Sequence, residues 1–118
     1  MVKTLAGDTL PIFAFWENLL DDLLTRTQKF PKSVRFTLTN RIDNLAVDVL
    51  GLLIRAQYSQ NKLVDLRQVS IAIDTLRVLI RLCHKRAYID HNGYEHVVRG
   101  LDEAGRMLGG WIKQQARR

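Results

Sequence analysis

A single cysteine, Cys83, stands in 118 residues. No intramolecular disulfide can brace the fold, which fits a reducing cytoplasm. There are only two prolines and no long Gly/Ser tract, so nothing reads as a linker and one domain over residues 1–118 is expected. No stretch offers about 18 uninterrupted apolar residues, so no transmembrane helix and no membrane partner are expected. The opening MVKTLAGDTLP lacks an apolar signal core, and a cytoplasmic location is expected.

Catalytic patterns are missing too. Glu17, Glu95 and Glu103 are the only glutamates, and none begins the Glu-x-x-His pair of a di-iron bundle. His91 and His96 lie five apart, a poor spacing for a shared metal, so surface or structural roles are expected for them and for His84. Cys83 has neither a CxxC partner nor an evident base beside it. No glycine-rich phosphate loop follows a strand, because no strand pattern exists. No enzyme activity, cofactor or metal is expected. Aromatic residues do not interleave with the basic groups, so base stacking is not expected either.

What remains is helical periodicity. The spacing predicts an all-α, up-down-up-down four-helix bundle with helices over about residues 10–29, 33–58, 62–86 and 91–116. The expected seams are Phe13, Trp16, Leu20 and Leu23; then Leu38, Ile42, Leu45, Val49, Leu52 and Ala56. They continue with Leu66, Val69, Ile73, Leu76, Ile80 and Cys83, then Tyr94, Val97, Leu101, Ala104, Leu108 and Trp111. Thr9 and Asp90 are candidate N-caps, and Pro11 suits a first helical turn. Cys83 falls on a seam and is expected to be a small buried hydrophobe. Gly105 and Gly109 share a face that permits close helix approach. Val47, Leu50, Leu53 and Ile54, with Ile71, Val78, Leu79 and Leu82, widen the apolar surface beyond one seam. That surplus predicts a homo-oligomer.

Charge is the second positive feature. The chain carries 18 Lys/Arg against 12 Asp/Glu, a net charge of +6. Residues 61–118 hold eleven of those bases and six of the acids, so the excess lies mainly in the second half. Such a surface attracts polyanions through Coulomb attraction and counterion release. Arg67, Arg77, Arg81 and Lys85 fall within about 80° of one another on the third helix at 100° per residue. Asp74 inside that strip offsets part of the repulsion, and Asp102 or Glu103 on the fourth helix could pair with it. Arg86 extends the strip. Arg26, Lys29, Lys32 and Arg35 form a second group around the first turn. Both groups are candidates for phosphate contact.

Three strings carry a family resemblance. FPKSVRFTLTNRIDNLAVDVLGLLIRAQYS (Phe30 to Ser59), LRVLIRLCHKRAYI (Leu76 to Ile89) and YEHVVRGLDEAGRMLGGWIK (Tyr94 to Lys113) resemble the accessory variability determinant, Avd, of diversity-generating retroelements. FPKSVRFTL, LRVLIRL and DEAGRMLGGW are the most specific parts. The resemblance implies a basic four-helix bundle assembling as a barrel-shaped homopentamer that binds RNA and DNA. It implies a partnership with the retroelement reverse transcriptase in mutagenic retrohoming. There, cDNA copied from a template-repeat RNA carries adenine-directed mutations into a variable repeat, and the polymerase does the chemistry. It makes Arg77 and Arg81 the first candidates for contact with nucleic acid or polymerase, and Arg41, Arg55 and Arg106 secondary ones. The bundle proteins encoded in intervening sequences of large-subunit ribosomal RNA genes share the architecture. They give the alternative, an interaction protein without a polymerase partner.

Overall fold

The computed structural model describes residues 10–117. Four helices, α1 (Pro11–Thr27), α2 (Asn40–Tyr58), α3 (Lys62–Lys85) and α4 (His91–Ala116), make up the fold, with no strand among the described residues. Each helix packs on its neighbour in sequence, and α1 closes the ring against α4. The core is one apolar cluster, with the α3 seam from Leu66 to Cys83 almost wholly removed from water. The expected seams of α1 and α3 are buried throughout, as is that of α4 apart from the half-buried Tyr94.

α2 departs from expectation in two ways. Its buried face is Ile42, Ala46, Val49, Leu53 and Ala56, while Leu38, Leu45 and Leu52 flank it half-buried. Three apolar stripes run side by side here, and the inner one uses the small Ala46. Trp16 of α1 explains the choice: its indole Nε1 donates to the Ala46 carbonyl at 2.9 Å, a buried bond that a larger side chain would crowd. The second departure lies before the helix. Residues 33–58 are not one α-helix: a 3₁₀ turn, Lys32–Val34, and a π turn, Arg35–Thr39, precede α2. In unbroken α geometry Arg35, seven residues before Ile42, would sit on the core face. The π turn inserts an extra residue. Val34 takes the inward place, half-buried against the core, and Arg35 is exposed. Within this turn the Thr39 hydroxyl is buried without a hydrogen-bond partner.

The helix ends follow capping chemistry. Asp90 Oδ1 accepts from the Gly93 amide at 2.7 Å and caps α4, as its position predicts. At α1 the capping position is Leu10, with Pro11 in the first turn, while Thr9 lies outside the described residues. Lys62 Nζ donates to the carbonyls of Ala56, Gln57 and Ser59 at 2.9, 2.9 and 3.0 Å, closing the end of α2. α3 ends in a Schellman turn, with Tyr88 N donating to Cys83 O and Ala87 N to His84 O. Ala87 holds the left-handed position of that turn at φ 61°, where glycine is usual. The close-approach glycine of α4 is Gly100. A Cβ there would lie 2.6 Å from Leu19 Cδ1 of α1. At Gly109 nothing lies within 4 Å, and at Gly105 only the tip of Arg77 does, so neither marks a helix contact within the chain.

Candidate nucleic-acid interface

The α3 strip divides when its partners are known. Arg77 is held by two carboxylates: Nη1 meets Asp74 Oδ1 at 2.5 Å and Nε meets Asp102 Oδ1 at 3.1 Å. Arg67, Arg81 and Lys85 are exposed and meet no carboxylate within ion-pair distance among the described residues. A carboxylate within 4 Å cancels much of the field an approaching phosphate would meet. The strip therefore offers three available cations rather than four.

The turn group divides the same way. Arg26 is half-buried, its Nε 2.8 Å from Asp22 Oδ2, and its Nη1 lies where a side chain on Gly93 would have to go. It thus pairs within α1 and packs against the start of α4 at Gly93. Lys29, Lys32 and Arg35 are exposed without a carboxylate partner among the described residues. Lys32 and Arg35 also rim a recess of about 350 Å³ whose wall includes Phe30, Thr39 and Asp43. Inside it Asp43 Oδ1 accepts from Thr27 Oγ1 at 2.7 Å. Burial pushes the Asp43 carboxyl above its usual range, and the Thr27 bond only partly opposes this. Of the secondary candidates, Arg41 and Arg55 are exposed and lack a carboxylate partner among the described residues. Arg106 is taken up by Glu103, whose carboxyl is held below its usual range by that bond.

The fold joins the two basic groups at one end of the bundle. The α1–α2 turn and the α3–α4 turn meet there through Phe30 and Tyr88, whose ring centroids lie 6.1 Å apart. Lys85 and Arg86 end α3 at this place, and Arg86 Nε donates to the Tyr88 hydroxyl at 3.3 Å. Lys29, Lys32, Arg35, Lys85 and Arg86 thus share one end, with Arg81 one turn further along α3. Two of the three histidines, His84 and His91, are also brought together, in a pairing their sequence spacing hides. His84 Nε2 lies 3.4 Å from His91 Nδ1 across the α3–α4 turn, and His91 Nε2 meets Glu95 Oε1 at 3.0 Å.

Sequence reasoning missed Phe36. It lies in the π turn with 85% of its surface exposed, next to Arg35 and four residues after Lys32. The expectation that no aromatic accompanies the basic groups is corrected here. Its signal was present in FPKSVRF, since even an unbroken helix would set Phe36 about 120° from the Ile42 face.

Chemically, the arrangement can bind anions. Guanidinium and ammonium groups on a convex end fit phosphates at many orientations and read no base sequence. Cys83 has no part in it: the thiol is wholly buried and its pKa is pushed up to about 11 by that burial, so it stays protonated and inert. Along the rest of α3, Val64, Ile71, Val78 and Leu82 form an exposed apolar stripe, with Val47 of α2 exposed beside it. At 100° per residue this stripe lies about 60° around α3 from the cations. No described helix is long and apolar enough to cross a membrane.

No curated protein matches this chain. The sequence model of one family, described as bAvd-like, matches residues 12–115, which takes in all four helices nearly end to end. The basic bundle of α1 to α4 therefore belongs to the bAvd-like family.

Proposed function

We propose that this chain is a non-catalytic accessory protein that binds RNA and DNA through its basic end and α3 strip, in partnership with a retroelement reverse transcriptase. The observation that carries the reading is the set of exposed cations without carboxylate partners among the described residues: Lys29, Lys32, Arg35, Arg67, Arg81 and Lys85. Like charges gathered as Lys29, Lys32, Arg35 and Lys85 are at the turn end cost stability unless an anion faces them. Family membership supplies the accessory role, and the polymerase would supply the chemistry of mutagenic retrohoming.

The exposed apolar stripe of α3 supports self-association as part of the same reading. Ile71 is 67% exposed and Val78 53% exposed, on a stripe that Val64 and Leu82 continue along α3. Covering what is still exposed of such side chains recovers a fraction, roughly half, of the ~1.5–3 kcal/mol that full burial gives. A ring of copies would cover the stripe and keep the neighbouring cations outward, and a pentamer is the assembly the family implies.

Two measurements test this. Binding of a labelled RNA should weaken steeply as salt rises, since each released counterion contributes to the slope; a flat dependence would remove the electrostatic mechanism. In light scattering, Ile71→Glu with Val78→Glu should reduce the assembly toward the 13.6 kDa chain. An unchanged mass would place the subunit contact elsewhere.

A further inference from the structure

Phe36 stands apart from the other exposed apolar residues. Those on α2 and α3 are mostly branched aliphatics in a continuous stripe, a surface that suits another protein chain. Phe36 is an aromatic ring on a π turn, and the residues around it in the chain are basic: Lys32 and Arg35 before it, Arg41 after it. All three are exposed and have no carboxylate partner among the described residues. π turns persist at a cost in hydrogen-bond geometry and are concentrated at functional sites. This one turns Arg35 outward and holds Phe36 beside it, free of the core.

From this placement we infer that Phe36 is a stacking platform for one unpaired base of a single-stranded RNA or DNA, with Lys32 and Arg35 on the flanking phosphates. The inference rests on the nucleic-acid reading above and adds a strand preference that charge alone does not give. Charge complementarity selects the occupant. Two copies of this chain meeting symmetrically at Phe36 would bring Lys32, Arg35 and Arg41 against their own likenesses, whereas a polyanion meets them favourably. A base offers a π face to the ring, and its phosphates lie within reach of side chains four and one residues away. Duplex nucleic acid keeps its bases stacked internally and offers the ring nothing. Phosphate contact should therefore be common to both forms, and the Phe36 contact confined to single strands.

The test uses the full chain, a labelled single-stranded uridine oligonucleotide and an RNA duplex of the same length. Phe36→Ala should weaken single-strand binding by roughly fivefold to 100-fold, the range that losing one base–aromatic stack implies. Duplex affinity and the salt slope should stay as they are, because no cation is lost. Phe36→Leu should behave like the alanine variant, and Phe36→Trp should retain affinity, with emission beyond that of the native tryptophans quenched on adding the single strand. An equal effect of Phe36→Ala on both probes, or none on either, overturns the stacking site. A change of assembly mass in Phe36→Ala also overturns it, by making the ring a contact between copies. If the unaltered protein binds neither probe, the nucleic-acid reading itself falls. If it binds both with steep salt dependence and Phe36→Ala changes nothing, only the platform falls. Phe36 is exposed, so circular dichroism should show each variant folded.

Discussion

The middle of the bundle and its turn end both carry basic residues, yet they differ in what they offer an anion. In the middle, Arg77 is held by Asp74 and Asp102, Arg99 by Glu95, and Arg106 by Glu103. At the end, Lys29, Lys32, Arg35 and Lys85 have no carboxylate partner among the described residues. Formal charge is a poor guide to binding surface. What matters is the charge left after neighbouring carboxylates have been counted, and that requires knowing which helices touch and in what register.

The comparison can be broken by making the middle resemble the end. Asp74→Asn with Asp102→Asn would free Arg77 and should strengthen RNA binding roughly threefold to tenfold at about 0.1 M salt, with a steeper slope by about 0.7 to 0.9 for the one cation gained. Fluorescence anisotropy against salt checks this, and an unchanged affinity would mean that Arg77 lies off the path of the strand. A second change probes the scaffold of the end without touching its charge. Ala87→Gly should raise unfolding stability by about 1 kcal/mol, because the left-handed position then carries no Cβ strain. Chemical denaturation reads the gain, and RNA affinity should not move. The smallest effect concerns Asp43. Its carboxyl pKa is raised in the folded chain, so the folded state holds that proton more tightly than the unfolded one. Its contribution to stability therefore falls as pH rises from the ordinary carboxyl value of 3.8 through the raised one, and the cost persists at neutral pH. Asp43→Asn keeps an acceptor for Thr27 Oγ1 and removes that cost. A slight rise in the melting temperature at pH 7, with no rise at a pH below 3.8, is the expected result.

Much of this was legible in the sequence. The α3 seam is the clearest case: every residue from Leu66 to Cys83 chosen by spacing is buried, because one stripe there is apolar without interruption while Arg67, Arg77 and Arg81 interrupt its far side. α2 is the counter-case. Leu45 and Leu52 compete with Ala46 and Leu53, and periodicity cannot rank adjacent stripes when a small residue such as Ala46 is the one that lets Trp16 approach. The π turn left no trace in the pattern, since Leu38 and Ile42 keep a helical step of four across it. The pairing of Arg77 with Asp102 spans 25 residues and depends on the α3–α4 register, which spacing within one helix does not supply. Phe36 was legible too, since helical spacing alone sets it about 120° from Ile42; what the π turn adds is an exposed Arg35 beside it.

The contrast between middle and end can be tested with equal losses of charge. Lys32→Ala, Arg35→Ala and Arg81→Ala together remove three cations without carboxylate partners, while Arg77→Ala, Arg99→Ala and Arg106→Ala remove three paired ones. RNA affinity of each triple variant, measured across a salt series, is the deciding quantity. The first should lose at least tenfold in affinity and about two units of salt slope, and the second should stay within about threefold of the unaltered protein. Equal losses in the two, or a larger loss in the second, would contradict the assignment of the interface to the turn end and the α3 strip.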